Sequence, residues 1–260
     1  TFERNYLIYL RKKLIKNKQN DLVSVCIPTY NRSKILLDRA LPSVLRQSHT
    51  NLEIIIVGDC CTDDTEEKLK KISDDRIKFY NLKYKKSAVF NKKDVLWSSG
   101  PAKARNFALE KSKGNWIAIL DDDEIWTDDH VEKLLNFCLD NNFEFASGFV
   151  EVPGIKDDPP KLISDYFKNT HLFRKFKVNP FLGGHSSFFF ISYLKKFKYN
   201  QNSWRRKHNR THDIDLVLRF LKSGVRIGYL NEKVGINFPR PGEKYVGYKA
   251  VKEHGYFDAE

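Results

Sequence analysis

Asn115-Trp-Ile-Ala-Ile-Leu-Asp-Asp-Asp-Glu-Ile-Trp126 decides the fold class of this 260-residue chain. An apolar run, Trp116 to Leu120, meets four consecutive acids, Asp121, Asp122, Asp123 and Glu124. The run is short and Gly114 bounds it, the pattern of a buried strand in a parallel sheet. Four carboxylates at a strand's C-terminal end repel one another, and their pKa values rise unless a cation or donors hold them ionised. Strand C-termini are also where open α/β sheets bind ligands. Oxygen-only donors suit a hard cation such as Mg²⁺ or Mn²⁺. A solvated acidic turn is the alternative for the same residues. Thr127 reads as an N-cap, with Asp128 and Asp129 in the first turn of a helix.

Upstream of this stretch, strands and helices alternate. Leu22 to Ile27 reads as a strand ended by Pro28, and Thr29, Tyr30, Asn31 and Arg32 form the loop after it. A helix follows with Ile35, Leu36, Ala40, Leu41, Val44 and Leu45 on one face, and Pro42 should kink or interrupt it. Leu52 to Val57 is a second strand, ending at Gly58-Asp59-Cys60-Cys61-Thr62. Asp63 and Glu66 make a capping-box-like start to the next helix. Arg76 to Tyr80 is a third strand, and residues 81–99 are polar and irregular. Pro101 opens a helix carrying Lys103, Arg105 and Asn106. Downstream, Val131, Leu134, Leu135 and Cys138 share one helical face. Leu22 to Asn142 is thus the pattern of a mostly parallel sheet with right-handed crossovers, an α/β domain.

The second half is less regular. Phe143 to Val152 alternates like a strand, and Gly183-Gly184-His185-Ser186-Ser187 leads into an apolar strand through Ile191. Thr211 caps a helix whose face is Ile214, Val217, Leu218 and Leu221, and Gly224 stops it. Val225 to Leu230 is a further strand. Residues 1–20 read as a basic amphipathic helix that docks on the domain or links to a domain upstream of Thr1, with peripheral membrane contact a third reading.

The formal charge of +13 favours polyanions, anionic membrane surfaces or phosphorylated substrates. No Cys/His finger or aromatic nucleic-acid signature accompanies it, so nucleic acid is not the expected partner. Cys26 and Cys138 sit in apolar patterns as reduced core residues, and adjacent Cys60 and Cys61 have no CxxC partner. That usage fits a reducing, cytoplasmic compartment. No apolar run reaches membrane-span length. The chain begins at Thr1 and has no methionine, so a processed chain or a piece of a longer protein is expected.

Five segments, in order, resemble family 2 glycosyltransferases with the GT-A fold. Val23-Ser-Val-Cys-Ile-Pro-Thr-Tyr-Asn-Arg32 resembles their opening strand. Glu53-Ile-Ile-Ile-Val-Gly-Asp-Cys-Cys-Thr-Asp-Asp-Thr65 is similar to their second strand and base loop. Pro101-Ala-Lys-Ala-Arg-Asn106 resembles their Ala-Arg-Asn helix, and Leu120-Asp-Asp-Asp-Glu124 their DXD motif. His212-Asp-Ile-Asp-Leu-Val-Leu-Arg219 is similar to the segment carrying their catalytic base. The resemblance implies sugar transfer from a nucleoside diphosphate to a hydroxyl of a glycan, glycolipid or glycoprotein, with inversion. It places residues 21–125 as a nucleotide-binding half and 126–260 as an acceptor-binding half of one domain.

The same likeness assigns roles. Pro28, Thr29, Tyr30 and Asp59 would hold the base, and a carboxylate at Asp59 can accept the N3–H of uracil or thymine; a UDP-sugar is favoured and a dTDP-sugar is the second choice. Asp121 would take the ribose, with Asp122 and Arg32 beside the nucleotide. Asp123 would bind Mn²⁺ or Mg²⁺ on the diphosphate. Arg105 would add positive charge there or form a structural ion pair. Asp213 would be the general base or, alternatively, a helix first-turn carboxylate. His212 stands where the family often has Glu, and it would orient Asp213, contact the acceptor or face solvent. His185 would sit near the acceptor or be structural. Gly58 and Cys60 replace residues the family usually writes as Asp and Gly. The segment from Asn237 to Tyr248 is expected to order over bound donor. Competing readings are a catalytically silent GT-A-like binding module and a nucleotidyltransferase, which would release pyrophosphate instead of a nucleoside diphosphate.

Overall fold

The computed structural model describes residues 4, 5, 7–9, 11, 22–83, 101–153, 161–162, 181–203 and 211–238. The irregular segment after residue 83 and the expected donor-closing segment from residue 239 onward lie outside these residues.

Ten strands and six α-helices alternate along the described chain. In order they are β1 (Val23–Thr29), α1 (Ser33–Ile35), α2 (Leu41–Leu45), β2 (Leu52–Gly58), α3 (Thr65–Lys70), β3 (Ile77–Asn81) and α4 (Ala102–Lys111). Then come β4 (Trp116–Ile119), β5 (Ile125–Trp126), α5 (His130–Asn141), β6 (Phe145–Glu151), β7 (Lys161–Leu162), β8 (Phe181–Leu182), β9 (Phe189–Ile191), α6 (His212–Ser223) and β10 (Ile227–Ile236). Eight strands form one sheet in the order β3-β2-β1-β4-β9-β6-β10-β5, and β7 pairs with β8 separately. The pairs β3/β2, β2/β1, β1/β4 and β6/β10 are parallel, whereas β9 and β5 run against their neighbours.

The central parallel strands β1, β2 and β4 are buried along their whole length because both faces of the sheet are covered. Cys26, Ile55, Val57, Ile117, Ile119 and Phe145 face α4 and α6 on one side. Val25, Ile27, Ile54, Ile56, Ala118 and Ala146 face α2 and α5 on the other. The strand read at Phe143–Val152 is β6, and its first four residues are all buried.

Several local expectations move by a residue or a turn. Pro42 interrupts the helix, as its sequence position predicts. A π-turn over Leu36–Ala40 precedes α2, so Pro42 falls in a first turn, where its missing N–H costs nothing. Asp129, not Thr127, is the N-cap of α5, and Thr127 accepts the His130 N–H through its carbonyl. Asp64 is the N-cap of α3. Asp63 instead accepts from the Thr65 hydroxyl at 2.6 Å and from the Ser33 N–H at 3.1 Å, tying α3 to α1. Gly224 ends α6 with φ 82, the left-handed C-cap its sequence position promised.

At the opposite end of the sheet from the acids, Leu7 is fully buried in the core. Arg11 pairs with the buried carboxyl of Glu144, which also accepts from Tyr193 and from the Arg226 N–H at 2.9 Å. No described helix is long and apolar enough to cross a membrane.

Candidate active site

β1, β2 and β4 are parallel neighbours, so their C-terminal loops emerge side by side. Those loops carry Pro28 to Arg32, Asp59 to Thr62, and Asp121 to Glu124. The acid loop leaves β4 at the middle of the sheet and enters β5, whose residues pair with the end of β10 at the far edge. The N-terminal turns of α4 and α6 bring Arg105 and Asp213 to the same edge.

Asp121 is the hub of one cluster. Its carboxyl pairs with Arg105, and His185 Nδ1 lies 3.4 Å from its second oxygen. Burial pushes its pKa up, but Arg105 and His185 outweigh that and hold it well below the usual carboxylate range. Its backbone N–H donates to Ser186 Oγ at 3.0 Å. The Arg105 side chain is 4% exposed and also contacts His212 Nε2. His185 Nε2 lies 3.0 Å from the Tyr199 hydroxyl. The His185, Tyr199 and His212 rings meet edge to face, with centroids 5.5 to 5.8 Å apart. Asn106 fixes Tyr199 by accepting its N–H at 2.6 Å and donating to its carbonyl at 2.8 Å.

Asp213 stands in the first turn of α6, directly after His212. Burial raises its pKa, whereas His212, His185, the Thr211 hydroxyl and the Ile214 N–H lower it, and the lowering wins. Its Oδ1 is buried and has no hydrogen-bond partner among the described residues. An ionised carboxylate with an uncommitted lone pair is equipped to accept a proton.

The second cluster joins the acid loop to the β1 loop. Thr29 Oγ1 donates to Asp122 Oδ2 at 2.8 Å. Arg32 Nη1 lies 3.1 Å from Asp122 Oδ1 and 2.9 Å from Asp123 Oδ2. Arg39 Nη1 donates to the Asp123 carbonyl at 3.2 Å. Burial, then Asp123, pushes the Asp122 carboxyl up to about 6 despite Arg32 and Thr29. Buried Glu124 is likewise raised well above the usual range, first by desolvation and then by Asp121 and Asp123.

The third cluster is the loop after β2. The Asp59 N–H donates to the Thr29 carbonyl at 2.9 Å, bringing Asp59 beside Tyr30, whose ring is 44% exposed. Asn31 accepts the Thr62 N–H at 2.8 Å, and Asn81 accepts the Cys61 N–H at 2.9 Å. The geometry accounts for one departure from the family pattern and runs against the other. A Cβ on Gly58 would meet Asn81 Oδ1 at 2.8 Å and Cys61 Sγ at 2.9 Å, so the space for a side chain there is taken. Cys60 holds φ 64, the left-handed conformation for which glycine is the usual residue. All four cysteines are free thiols.

Every residue singled out from the sequence lies along this one edge. Arg105 is engaged by Asp121 and His212 in a buried ion pair, and His185 is built into the Asp121 cluster. Tyr199, Ser186, Asn81 and Arg39 were not found from sequence. Asn81 alone had a signal there, as a polar residue closing the third strand. Among the described residues, no three His, Cys, Asp or Glu side chains form a metal-binding group. The donor set nonetheless suits a hard cation held with few protein ligands, because it is all carboxylate and the Arg32 cation already bridges Asp122 and Asp123.

Residues 24–198 match the sequence profile of Glycosyl transferase family 2. The chain belongs to this family. A relative is the Escherichia coli UDP-Glc:alpha-D-GlcNAc-diphosphoundecaprenol beta-1,3-glucosyltransferase WfgD, 34% identical over 131 residues, covering 50% of this chain and 46% of that protein. The matched part makes up 16% to 20% of uncharacterized Rickettsia glycosyltransferases, so the chain spans well under half of these relatives' length. Among solved structures, S. aureus TarS 1–349 in complex with UDP superposes with a TM-score of 0.61 at 18% identity, covering 84% of this chain and 61% of that one. The mannosyltransferase PcManGT from Pyrobaculum calidifontis, in complex with GDP-Man and Mn²⁺, does so with a TM-score of 0.59 at 16% identity, covering 93% and 66%. The fold is thus the GT-A glycosyltransferase fold expected for family 2.

Proposed function

We propose that the chain transfers a sugar from a nucleoside-diphosphate sugar, a UDP-sugar before a dTDP-sugar, to a hydroxyl of a saccharide or glycolipid acceptor, with inversion. The observation that carries this reading is Asp213: a carboxylate kept ionised, with one oxygen uncommitted, on the same sheet edge as the three nucleotide-facing loops. Tyr30 offers an exposed ring for the base, and Asp59 a carboxylate for a pyrimidine N3–H. Asp121 would accept from the ribose hydroxyls, its orientation fixed by Arg105. Asp123 would hold Mn²⁺ or Mg²⁺, which when bound neutralises charge on the leaving diphosphate. Asp213 would take the proton of the acceptor hydroxyl as its oxygen closes on the anomeric carbon from the face opposite the diphosphate. His185, Tyr199 and His212 would line the site beside Asp213.

A lipid-linked acceptor is favoured by the name of the E. coli relative, and UDP by that name and by the TarS complex. Such an acceptor would bring the chain to the cytoplasmic surface of a membrane, which a charge of +13 suits. The test separates the two acids. Asp123→Ala should lose Mn²⁺-dependent UDP binding and transfer together. Asp213→Asn should keep UDP binding by calorimetry while transfer falls by roughly two to four orders of magnitude. Transfer by Asp213→Asn at near the unmodified rate would reduce Asp213 to a helix-turn carboxylate.

A further inference from the structure

We infer that Arg32 is a resident counter-ion of the cation seat: a divalent cation reaches Asp123 only by displacing this guanidinium. The inference rests on the metal-dependent reading above and deepens it. One nitrogen, Nη1, bridges the two carboxylates, at 3.1 Å from Asp122 Oδ1 and 2.9 Å from Asp123 Oδ2. Asp122 cannot follow the guanidinium outward, because Thr29 pins its other oxygen at 2.8 Å. The Arg32 backbone is fixed too: it is the residue before α1, whose first N–H is held by Asp63 at 3.1 Å. The side chain is 34% exposed, so it has a path into solvent. A divalent cation on Asp123 Oδ2 would face the guanidinium across a single oxygen, and like charges that close repel. The two cations therefore exclude each other.

The exchange has a use at this place in the fold. A planar guanidinium released from Asp123 suits phosphate oxygens, and the diphosphate is the anion the site would receive. Cation and nucleoside diphosphate would then each take one end of the Arg32–Asp123 pair. Each alone binds weakly and each strengthens the other, by reciprocal linkage.

The probe is Mn²⁺ alone, followed by the electron paramagnetic resonance signal of the free ion, and then Mn²⁺ with UDP. Arg32→Gln, which removes a charge-assisted bond and keeps hydrogen bonding, should bind Mn²⁺ alone about tenfold or more tightly than the unmodified protein. The factor by which UDP strengthens Mn²⁺ binding should shrink by a comparable amount. Arg32→Lys should stay near the unmodified value. Arg39→Gln is the control for charge at a distance. It removes an equal charge that touches the Asp123 carbonyl at 3.2 Å but not the carboxylate, and should change Mn²⁺ affinity little. Arg32→Ala replaces Arg32→Gln should melting curves show the latter misfolded. Unchanged or weaker Mn²⁺ binding on losing Arg32, or an equal gain in Arg39→Gln, overturns the inference and leaves the metal reading standing. Absence of Mn²⁺ binding by the unmodified protein even with UDP overturns both.

Discussion

Cys60 shows how a single position can carry a family's habit and a departure from it. At φ 64 an L side chain costs roughly 1–2 kcal/mol, and glycine escapes that cost while losing about 0.5–1 kcal/mol to unfolded-chain entropy. Cys60→Gly should therefore raise stability by up to about 1 kcal/mol, read as a higher urea midpoint with an unchanged slope. A lower midpoint would mean that the Cys60 side chain makes contacts worth more than the strain. The places of Asp213 and Asp123 were legible at this scale because each falls in a motif tied to one element end, the first turn of α6 and the loop after β4. Tyr199 was not, since what positions it is a bond from Asn106 on a distant helix, a pairing that local pattern cannot express.

The element scale is where pattern reading was surest and where its errors have plain causes. The parallel strands β1, β2 and β4 announced themselves as apolar runs ending in Pro, Gly or acids. The antiparallel insertion of β9 between β4 and β6 did not, because a three-residue apolar strand reads the same in either direction. α5 contains a further titratable group that the site does not use. His130 is fully buried, stacked 3.9 Å above Trp126, with Nδ1 2.7 Å from the Val234 carbonyl. Burial lowers its pKa to about 3. The unfolded chain protonates this histidine near pH 6.5 while the fold refuses the proton, so its contribution is complete above pH 6.5 and is lost as pH falls toward 3. By pH 5 the loss should reach about 2 kcal/mol. His130→Phe keeps an aromatic ring against Trp126 and removes the titration. It should be less stable than the unmodified protein at pH 7, having removed one of the two hydrogen bonds the Val234 carbonyl accepts, the other coming from the Thr127 N–H at 3.1 Å, yet lose less stability between pH 6.5 and 4. Parallel stability–pH curves for the two proteins would contradict this.

Over the whole molecule, the fold class came through from the sequence because strand and helix alternate regularly from residue 22 to 142. The shape of the second half did not, since its sheet is completed by strands far apart in the chain. β4 illustrates the distance: its partner on one side, β1, precedes it, but its partner on the other, β9, begins only at Phe189. On the ribosome this has a consequence. While the chain is being made, β4 presents Trp116 to Ile119 as an open apolar edge until Phe189 to Ile191 emerge, and such edges recruit other strands. The four acids that follow this edge are charged gatekeepers there before they can serve any chemistry. Replacing Asp122, Asp123 and Glu124 together by their amides should increase aggregation of nascent chains arrested soon after α5 more than it does for chains released complete. Equal aggregation of both would confine these carboxylates to the finished enzyme.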